Sequence, residues 1–303
     1  MKPLSFIIIT YNRPDDALAL LENISQLDNA SELLEEIIIV NNASTSDYSK
    51  VENFIASHSE LPYYYFHADE NLGVAKGRNF ALQKSTSPIL IMLDDDAELQ
   101  NSDCLIRLLE EFEEKKTIRP KAIISFKVLY YETRQMQVNA FPHKQFNIYK
   151  DRDILETYYY AGGAHAIKRS VLEEVGTYPE DFFYGMEEYD LSYRVLNAGY
   201  SIVYSNKIVM LHKESPLGRK PKEEKLRMMW VNKTKVCWRY LPLKYFASTA
   251  FFWSFFYLIN AGLHFKGWMQ AWKDISGIIK TRRHPINKET LKYLKTLKAR
   301  LWF

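Results

Sequence analysis

The first half of the chain alternates short apolar runs with longer stretches of helical period. The runs Leu4–Thr10, Glu36–Val40, Tyr63–Phe66, Ile89–Leu93 and Ala122–Tyr131 predict strands. Several carry Ile and Val at successive positions, so both faces are apolar, which suits a parallel sheet covered by helices. Between and after them, Pro14–Gln26, Ser49–His58, Val74–Lys84 and Asn101–Lys115 read as helices, the first well started by Pro14. Strand–helix alternation predicts an α/β sheet, whose ligands bind beyond the carboxyl ends of the strands. Residues 132–160 are polar and aromatic with little period and read as a crossover or loop. Ala161-Gly162-Gly163-Ala164 allows a close backbone approach or a tight bend. Glu188–Ala198 then predicts a helix ending at Gly199, Tyr200–Tyr204 a strand, and Pro216–Pro221 a hinge.

Composition narrows this picture. With 303 residues, 47% hydrophobic and 25% charged, the chain can bury a sizeable core, and collagen-like, low-complexity and wholly disordered classes are excluded. Cys104 and Cys237 make no disulfide framework, so a reducing compartment is the simpler expectation. The first apolar run is too short for a signal peptide before it reaches Thr10-Tyr11-Asn12-Arg13. The net charge of +3 conceals a division: residues 1–212 hold 20 Lys and Arg against 32 Asp and Glu, whereas residues 213–303 hold 20 against 5. All six tryptophans lie in that basic part. We therefore expect an acidic body, residues 1–215, and a basic, aromatic extension, residues 216–303, that meets a different solvent.

Polar residues gather at the ends of the apolar runs. Thr10-Tyr11-Asn12-Arg13 and Asn41-Asn42-Ala43-Ser44 offer amides, hydroxyls and a ring that can read a nucleobase, although turns and helix caps use the same residue types. Ile89–Leu93 opens directly into Asp94-Asp95-Asp96. Three adjacent carboxylates repel one another unless a cation answers them, and at a strand end they make a hard-oxygen site for Mg²⁺ or Mn²⁺ bridging a diphosphate. Alternation sets Asp94 and Asp96 on one side and Asp95 on the other. The stretch Phe182–Leu191 places Glu187, Glu188 and Asp190 around a helix start behind aromatics. A carboxylate there can take a proton from an attacking hydroxyl, or simply complement the helix dipole. His212 follows the apolar Ile208–Leu211, and only its company can make it a ligand.

Taken together, residues 4–215 resemble a family 2 glycosyltransferase with the GT-A fold. The landmarks stand in family order: Ile7–Arg13; Ile39–Ser44; Asn71-Leu72-Gly73 through Arg78-Asn79; Leu93–Asp96; Gly185–Leu191; and His212. The resemblance implies a Rossmann-like α/β architecture, a mostly parallel sheet flanked by helices, here with a C-terminal helical extension. It implies that Thr10, Tyr11, Arg13 and Asn41 hold the nucleoside of a sugar nucleotide, with Asn71, Gly73 and Arg78 beside it. Asp94 and Asp95 would belong to the same donor site. Asp94 and Asp96 match the family's DxD element, and His212 is a further metal or diphosphate contact, so Mn²⁺ or Mg²⁺ is the implied cofactor. The late carboxylate pair supplies the catalytic base, and its second member aligns with Glu188. Two positions depart from the family pattern. Asn41 stands where aspartate is usual, yet its carbonyl can still accept from a uracil or thymine N3–H. Glu187-Glu188 replaces the usual Glu-Asp, which leaves the choice between the two open.

The basic extension holds Tyr245–Phe265, 21 residues without Lys, Arg, Asp or Glu. That is long enough to span a bilayer, but Ser248, Thr249, Asn260 and His264 weaken the case and the aromatics are not confined to its edges. A helical hairpin lying in the interface, its lysines on anionic lipid, fits better and places a membrane-associating surface within residues 236–303. Nucleic acid is not an expected partner, since no aromatic-basic recognition motif accompanies the charge. The resemblance thus implies an inverting transferase at the cytoplasmic face of the membrane. It would move a hexose or a deoxysugar such as rhamnose from a UDP- or dTDP-sugar to a glycan or lipid-linked acceptor in cell-surface polysaccharide synthesis. The alternative from a different class is a catalytically inactive sugar-nucleotide- or membrane-binding module.

Overall fold

A computed structural model describes residues 1–115, 117–217 and 220–302. Among the described residues nine strands form one sheet: β1 (Leu4–Thr10), β2 (Leu34–Asn41), β3 (Tyr63–His67), β4 (Ile89–Asp94), β5 (Ala97–Leu99), β6 (Lys121–Tyr130), β7 (Ile154–Thr157), β8 (Ala164–Lys168) and β9 (Ser201–His212). Their order is β3-β2-β1-β4-β8-β6-β9-β5, with β7 also pairing with β9. From β3 to β4 every pairing is parallel, as the doubly apolar runs require. β8 then enters antiparallel between β4 and β6, and β6 and β9 pair parallel again.

The period of two divides the core. Phe6, Ile8, Ile37, Ile39, Ile91 and Leu93 point to one face, beneath Ala17, Leu20, Leu21 and Ile24 of helix Pro14–Ser25 and Leu105 and Leu108 of helix Cys104–Glu113. Ile7, Ile38, Val40, Leu90 and Met92 point to the other, beneath Ala75, Ala81 and Leu82 of helix Gly73–Leu82 and Leu191, Val195 and Leu196 of helix Glu187–Asn197. Burial of this kind stabilises by roughly 25 cal/mol per Å² of apolar surface, which is why a β1 register slip of one residue would be so costly.

Three strands lie where the sequence pattern was silent or pointed elsewhere. β8 is the five residues Ala-His-Ala-Ile-Lys directly after Gly162-Gly163, too short to show a period. β7 and a short helix, Phe146–Tyr149, lie inside the stretch read as a loop. β5 follows the acidic triplet with only three residues. β9 is also longer than expected, because a register irregularity after Ser205 lets it resume alongside β6 as far as His212.

The C-terminal part is helical: Lys222–Tyr240, Leu243–Asn260, Phe265–Ile278 and Lys288–Thr296. Val236, Cys237, Tyr240, Leu241, Tyr245, Leu294 and Leu301 complete the core face shared with helix Glu187–Asn197. Trp230, Trp253, Tyr257, Ala271, Ile275 and Ile278 form a separate cluster between the helices. Of the apolar run, Tyr245, Thr249, Ala250, Trp253, Ser254 and Tyr257 are buried, spaced as one helix face. Phe251, Phe252, Phe255 and Ile259 remain exposed. Among the described residues, no helix is long and apolar enough to cross a membrane.

Candidate active site

β4 delivers Asp94 at its end and Asp95 and Asp96 in the turn that follows. β5 runs antiparallel to β9 with Ala97 opposite His212, which carries the histidine to the acidic turn. One ligand atom each from Asp94, Asp96 and His212 lies within 4.8 Å of the others. Asp96 is 1% exposed. Its Oδ2 accepts the Ser215 backbone N–H at 2.9 Å and lies 3.3 Å from Arg13 Nη1. Its Oδ1 is buried without a well-formed hydrogen bond, although His212 Nε2 is 3.3 Å away. A buried carboxylate oxygen left in this way needs a partner, and a cation between it and the imidazole supplies one. Two carboxylates with one imidazole suit Mn²⁺ or Mg²⁺. Burial alone would raise the Asp96 pKa, but the neighbouring His212 and Arg13 and the Ser215 backbone N–H hold it below the usual value. His212 is correspondingly raised by Asp96 against the opposing effect of burial.

Asp95 turns the other way. It accepts from the Tyr11 backbone N–H at 3.3 Å and from Arg13 Nη1 at 2.8 Å. Burial pushes its pKa up to about 7 against the pull of Arg13. Arg13 also donates to the carbonyls of Leu217 at 2.7 Å and Ser215 at 3.3 Å. It thus ties β1 to the segment after β9 and offsets two of the three aspartates.

Arg78, from helix Gly73–Leu82, joins the acidic turn to the late carboxylate pair. It is 5% exposed, donates from Nη2 to the Gly162 carbonyl at 2.8 Å and from Nη1 to Glu187 Oε1 at 3.2 Å, and lies 3.6 Å from Asp94 Oδ1. Glu187 is buried, and its Oε2 has no hydrogen-bond partner. Glu188 is half-buried at the start of helix Glu187–Asn197. Burial first, and the charge of Glu187 second, push its pKa up to about 8, while Arg78 pulls it down. Met186, just before the pair, has φ +72°, an unusual conformation for a residue with a side chain. The Nδ2 of Asn232, on helix Lys222–Tyr240, holds this turn by donating to the carbonyls of Tyr184 and Gly185, each at 3.0 Å.

The acidic turn, His212, Arg13 and Arg78 open onto a cavity of about 850 Å³, the size of a ligand site. Tyr11, Arg13, Asn71, Gly73, Arg78, Asp94, Asp95, Asp96 and His212 all line it. Gly73 is required as glycine: its φ is +70°, and a β-carbon would lie 2.5 Å from the Phe183 carbonyl oxygen. Thr10 and Asn41 are buried beneath the wall rather than in it. Thr10 Oγ1 bonds the Tyr48 hydroxyl at 2.6 Å. Asn41 donates to the Tyr65 hydroxyl and accepts from the Ser44 backbone N–H, each at 2.9 Å. Its neighbour Asn42 lines the cavity instead. Glu187 and Glu188 lie behind Arg78.

Residues 5–176 match the model of glycosyl transferase family 2. The chain belongs to that family. An uncharacterized protein of Haemophilus influenzae is 28% identical over 176 residues, covering 58% of this chain and 92% of that one. An uncharacterized glycosyltransferase of Bacillus subtilis, YfnE, is 25% identical over 259 residues, 70% of this chain and 65% of its own length. The teichoic acid poly(glycerol phosphate) polymerase of Staphylococcus epidermidis is 28% identical over 48% of this chain, which spans only 21% of that protein. Among solved structures, a mannosyltransferase from Pyrobaculum calidifontis in complex with GDP-Man and Mn²⁺ superposes with a TM-score of 0.61 at 18% identity. That match covers 98% of this chain and 79% of the other. S. aureus TarS 1-349 in complex with UDP-GlcNAc gives 0.60 at 16% identity, over 92% and 82%. At such identities the likeness is one of fold, and it is the GT-A fold.

Within this family 2 chain, four further residues support the site. Gly163 packs directly on Asp94, and its place in a Gly-Gly step ahead of a strand was the available signal. Ser215 caps Asp96 through its backbone, which no side-chain pattern reveals. Gln137 and Glu214 stand behind His212. They come from segments without period, and nothing in the sequence marks them.

Proposed function

We propose that this chain is an inverting, metal-dependent glycosyltransferase. It would transfer a hexosyl or deoxyhexosyl unit, rhamnosyl among the latter, from a UDP- or dTDP-sugar to a hydroxyl of a glycan or lipid-linked acceptor. The observation that carries the reading is Arg78. One buried guanidinium lines the cavity, touches Glu187 and lies 3.6 Å from Asp94, so it links the carboxylate pair behind it to the acidic cluster in the cavity wall.

Divided in this way, residues 1–215 are the catalytic domain and residues 216–303 an extension. A divalent cation held by Asp94, Asp96 and His212 would supply Lewis-acid neutralisation of the leaving diphosphate. Tyr11, Asn71, Gly73 and Asp95 border the space for the donor, with Arg13 and Arg78 adding fixed positive charge where negative charge grows. Thr10 and Asn41 shape the nucleoside end from beneath. Glu188 takes the proton of the acceptor hydroxyl as that oxygen bonds to the anomeric carbon. The bond from that carbon to the diphosphate breaks on the opposite face, and the nucleoside diphosphate leaves with the electron pair. A single displacement of this kind inverts the centre. Glu187, engaged by Arg78, orients the pair and raises the basicity of its neighbour.

The C-terminal helices support attachment to the cytoplasmic face of a membrane. Phe251, Phe252, Phe255, Ile259, Leu263, Phe265 and Met269 are all exposed on the hairpin, and large apolar side chains gathered on one exposed segment suit an interaction or membrane surface. Lys244, Lys266, Lys273, Lys280 and Arg282 lie in the same segment and suit anionic headgroups. A lipid-linked acceptor in cell-surface polysaccharide assembly fits that location, and the teichoic acid polymerase relative is consistent with it. The direct test is turnover of a UDP- or dTDP-sugar with Mn²⁺ by wild type and Asp96→Ala. Transfer by the first and not the second supports the reading, and equal turnover refutes it.

A further inference from the structure

We infer that Gln137 is the positioning residue that makes His212 a metal ligand. The inference rests on the metal-dependent reading above and deepens it. Gln137 lies beyond the end of β6, where the chain doubles back through the Leu129–Met136 bridge, and its backbone N–H bonds the Val128 carbonyl at 2.9 Å. The residue is 6% exposed. The amide nitrogen donates to Glu214 Oε1 at 2.9 Å. A carboxylate only accepts, so this contact dictates which way the amide faces. The amide oxygen is left toward His212 Nδ1, 2.9 Å away. That oxygen cannot donate, so Nδ1 must carry a proton. In the neutral imidazole, Nε2 then holds the lone pair.

Nε2 is the atom that faces Asp96 Oδ1 at 3.3 Å. Two acceptors opposed at that distance repel each other unless a proton or a metal cation lies between them. The chain Glu214–Gln137–His212 therefore presents a free donor atom to the cation, the arrangement by which an outer partner fixes the tautomer of a ligating histidine. Without the Gln137 oxygen, the imidazole is free to move its proton to Nε2. It then donates to Asp96 Oδ1, and one hydrogen bond occupies two of the three ligand atoms.

The test is Mn²⁺ affinity of the full chain, by titration calorimetry or the signal of free Mn²⁺, for wild type, Gln137→Leu and Glu214→Gln. Gln137→Leu should weaken Mn²⁺ binding by about 10- to 100-fold, the usual effect of losing such an outer partner, with little change in melting temperature. Glu214→Gln should stay within a few-fold of wild type, because its amide oxygen still accepts from Gln137. Ring ¹⁵N shifts of His212 in histidine-labelled, metal-free protein should show the neutral imidazole protonated at Nδ1 in wild type. Gln137→Leu binding Mn²⁺ as tightly as wild type, or a neutral wild-type imidazole protonated at Nε2 and not at Nδ1, overturns the inference. If Gln137→Leu does not fold, the wild-type tautomer decides alone. Wild type that binds no Mn²⁺ removes the metal reading itself. Wild type that binds, beside a Gln137→Leu that binds equally, removes only the role of Gln137.

Discussion

Gly163 stands where no side chain fits, because the Asp94 carboxylate is already there. A β-carbon at Gly163 would lie 2.1 Å from Asp94 Oδ2, while the Gly163 carbonyl accepts the Asp94 backbone N–H at 3.1 Å. The glycine step ahead of β8 thus sets the position of the first carboxylate of the acidic turn. Gly163→Ala should rotate Asp94 away from Asp96 and His212. The Asp94 side chain is 45% exposed, so it can move without unpacking the core. The expected result is a melting temperature close to wild type with Mn²⁺ affinity reduced about tenfold or more. Unchanged affinity would mean that Asp94 is not a ligand.

Asp96 is the most buried of the three aspartates. Asp96→Asn keeps its shape and its bond from Ser215 but removes the charge that opposes the cation. Transition-state stabilisation by a bound metal is worth several kcal/mol, so turnover should fall by about 10² to 10³ or more. Steady-state kinetics with saturating Mn²⁺ measures this, and a loss below tenfold would argue against a metal-dependent step.

The basic carboxylate pair makes a prediction about pH. Burial, and after it the charge of Glu187, pushes the Glu188 pKa up to about 8 against the pull of Arg78. A general base must be deprotonated, so kcat/KM should climb as pH rises toward 8 and level above it. Because the two glutamates titrate together, Glu187→Gln removes a like charge and should move that limb to lower pH. Glu188→Gln should lose about 10² to 10⁴ of the rate. A flat profile between pH 6 and 9, or a fully active Glu188→Gln, would assign the base elsewhere.

How much of this was legible in the sequence depends on how local its cause is. The parallel half of the sheet was, because Leu4–Thr10, Ile37–Val40 and Ile89–Leu93 are apolar at successive positions and only a doubly covered sheet satisfies them. The acidic triplet was visible because three neighbouring carboxylates after a buried strand have few structural uses. β8 was not, since Ala164–Lys168 owes its strand state to pairing with β4 and β6 rather than to a pattern of its own. Asn41 shows the limit at the level of one residue. Its amide looks suited to a nucleobase, but Tyr65 and Ser44 take its hydrogen bonds, and only the third dimension reveals that. Gln137 was invisible for the same reason: its meaning comes from Glu214 and His212, each more than seventy residues away.

The exposed hairpin face predicts binding to anionic vesicles. Full-length protein should float with vesicles containing phosphatidylglycerol, less so as salt rises and the lysine contribution is screened. Replacing Phe251, Phe255 and Ile259 together by Ser should reduce flotation about tenfold or more, since each removes buried apolar area from the interface. Mn²⁺ affinity should not change. Equal flotation of the triple variant would place the membrane contact elsewhere or remove it.

The central claim is that Asp94, Asp96 and His212 form a metal site that serves a nucleotide sugar. It is tested most directly by thermal unfolding of wild type and Asp96→Asn with UDP-, dTDP- and GDP-sugars, each with and without Mn²⁺. A ligand at 100 times its Kd stabilises the native state by about 2.7 kcal/mol, a shift that is readily measured. The account predicts that a UDP- or dTDP-sugar raises the melting temperature of wild type only with Mn²⁺ and does not do so for Asp96→Asn. A stabilisation independent of Mn²⁺, or one that Asp96→Asn retains in full, would contradict it.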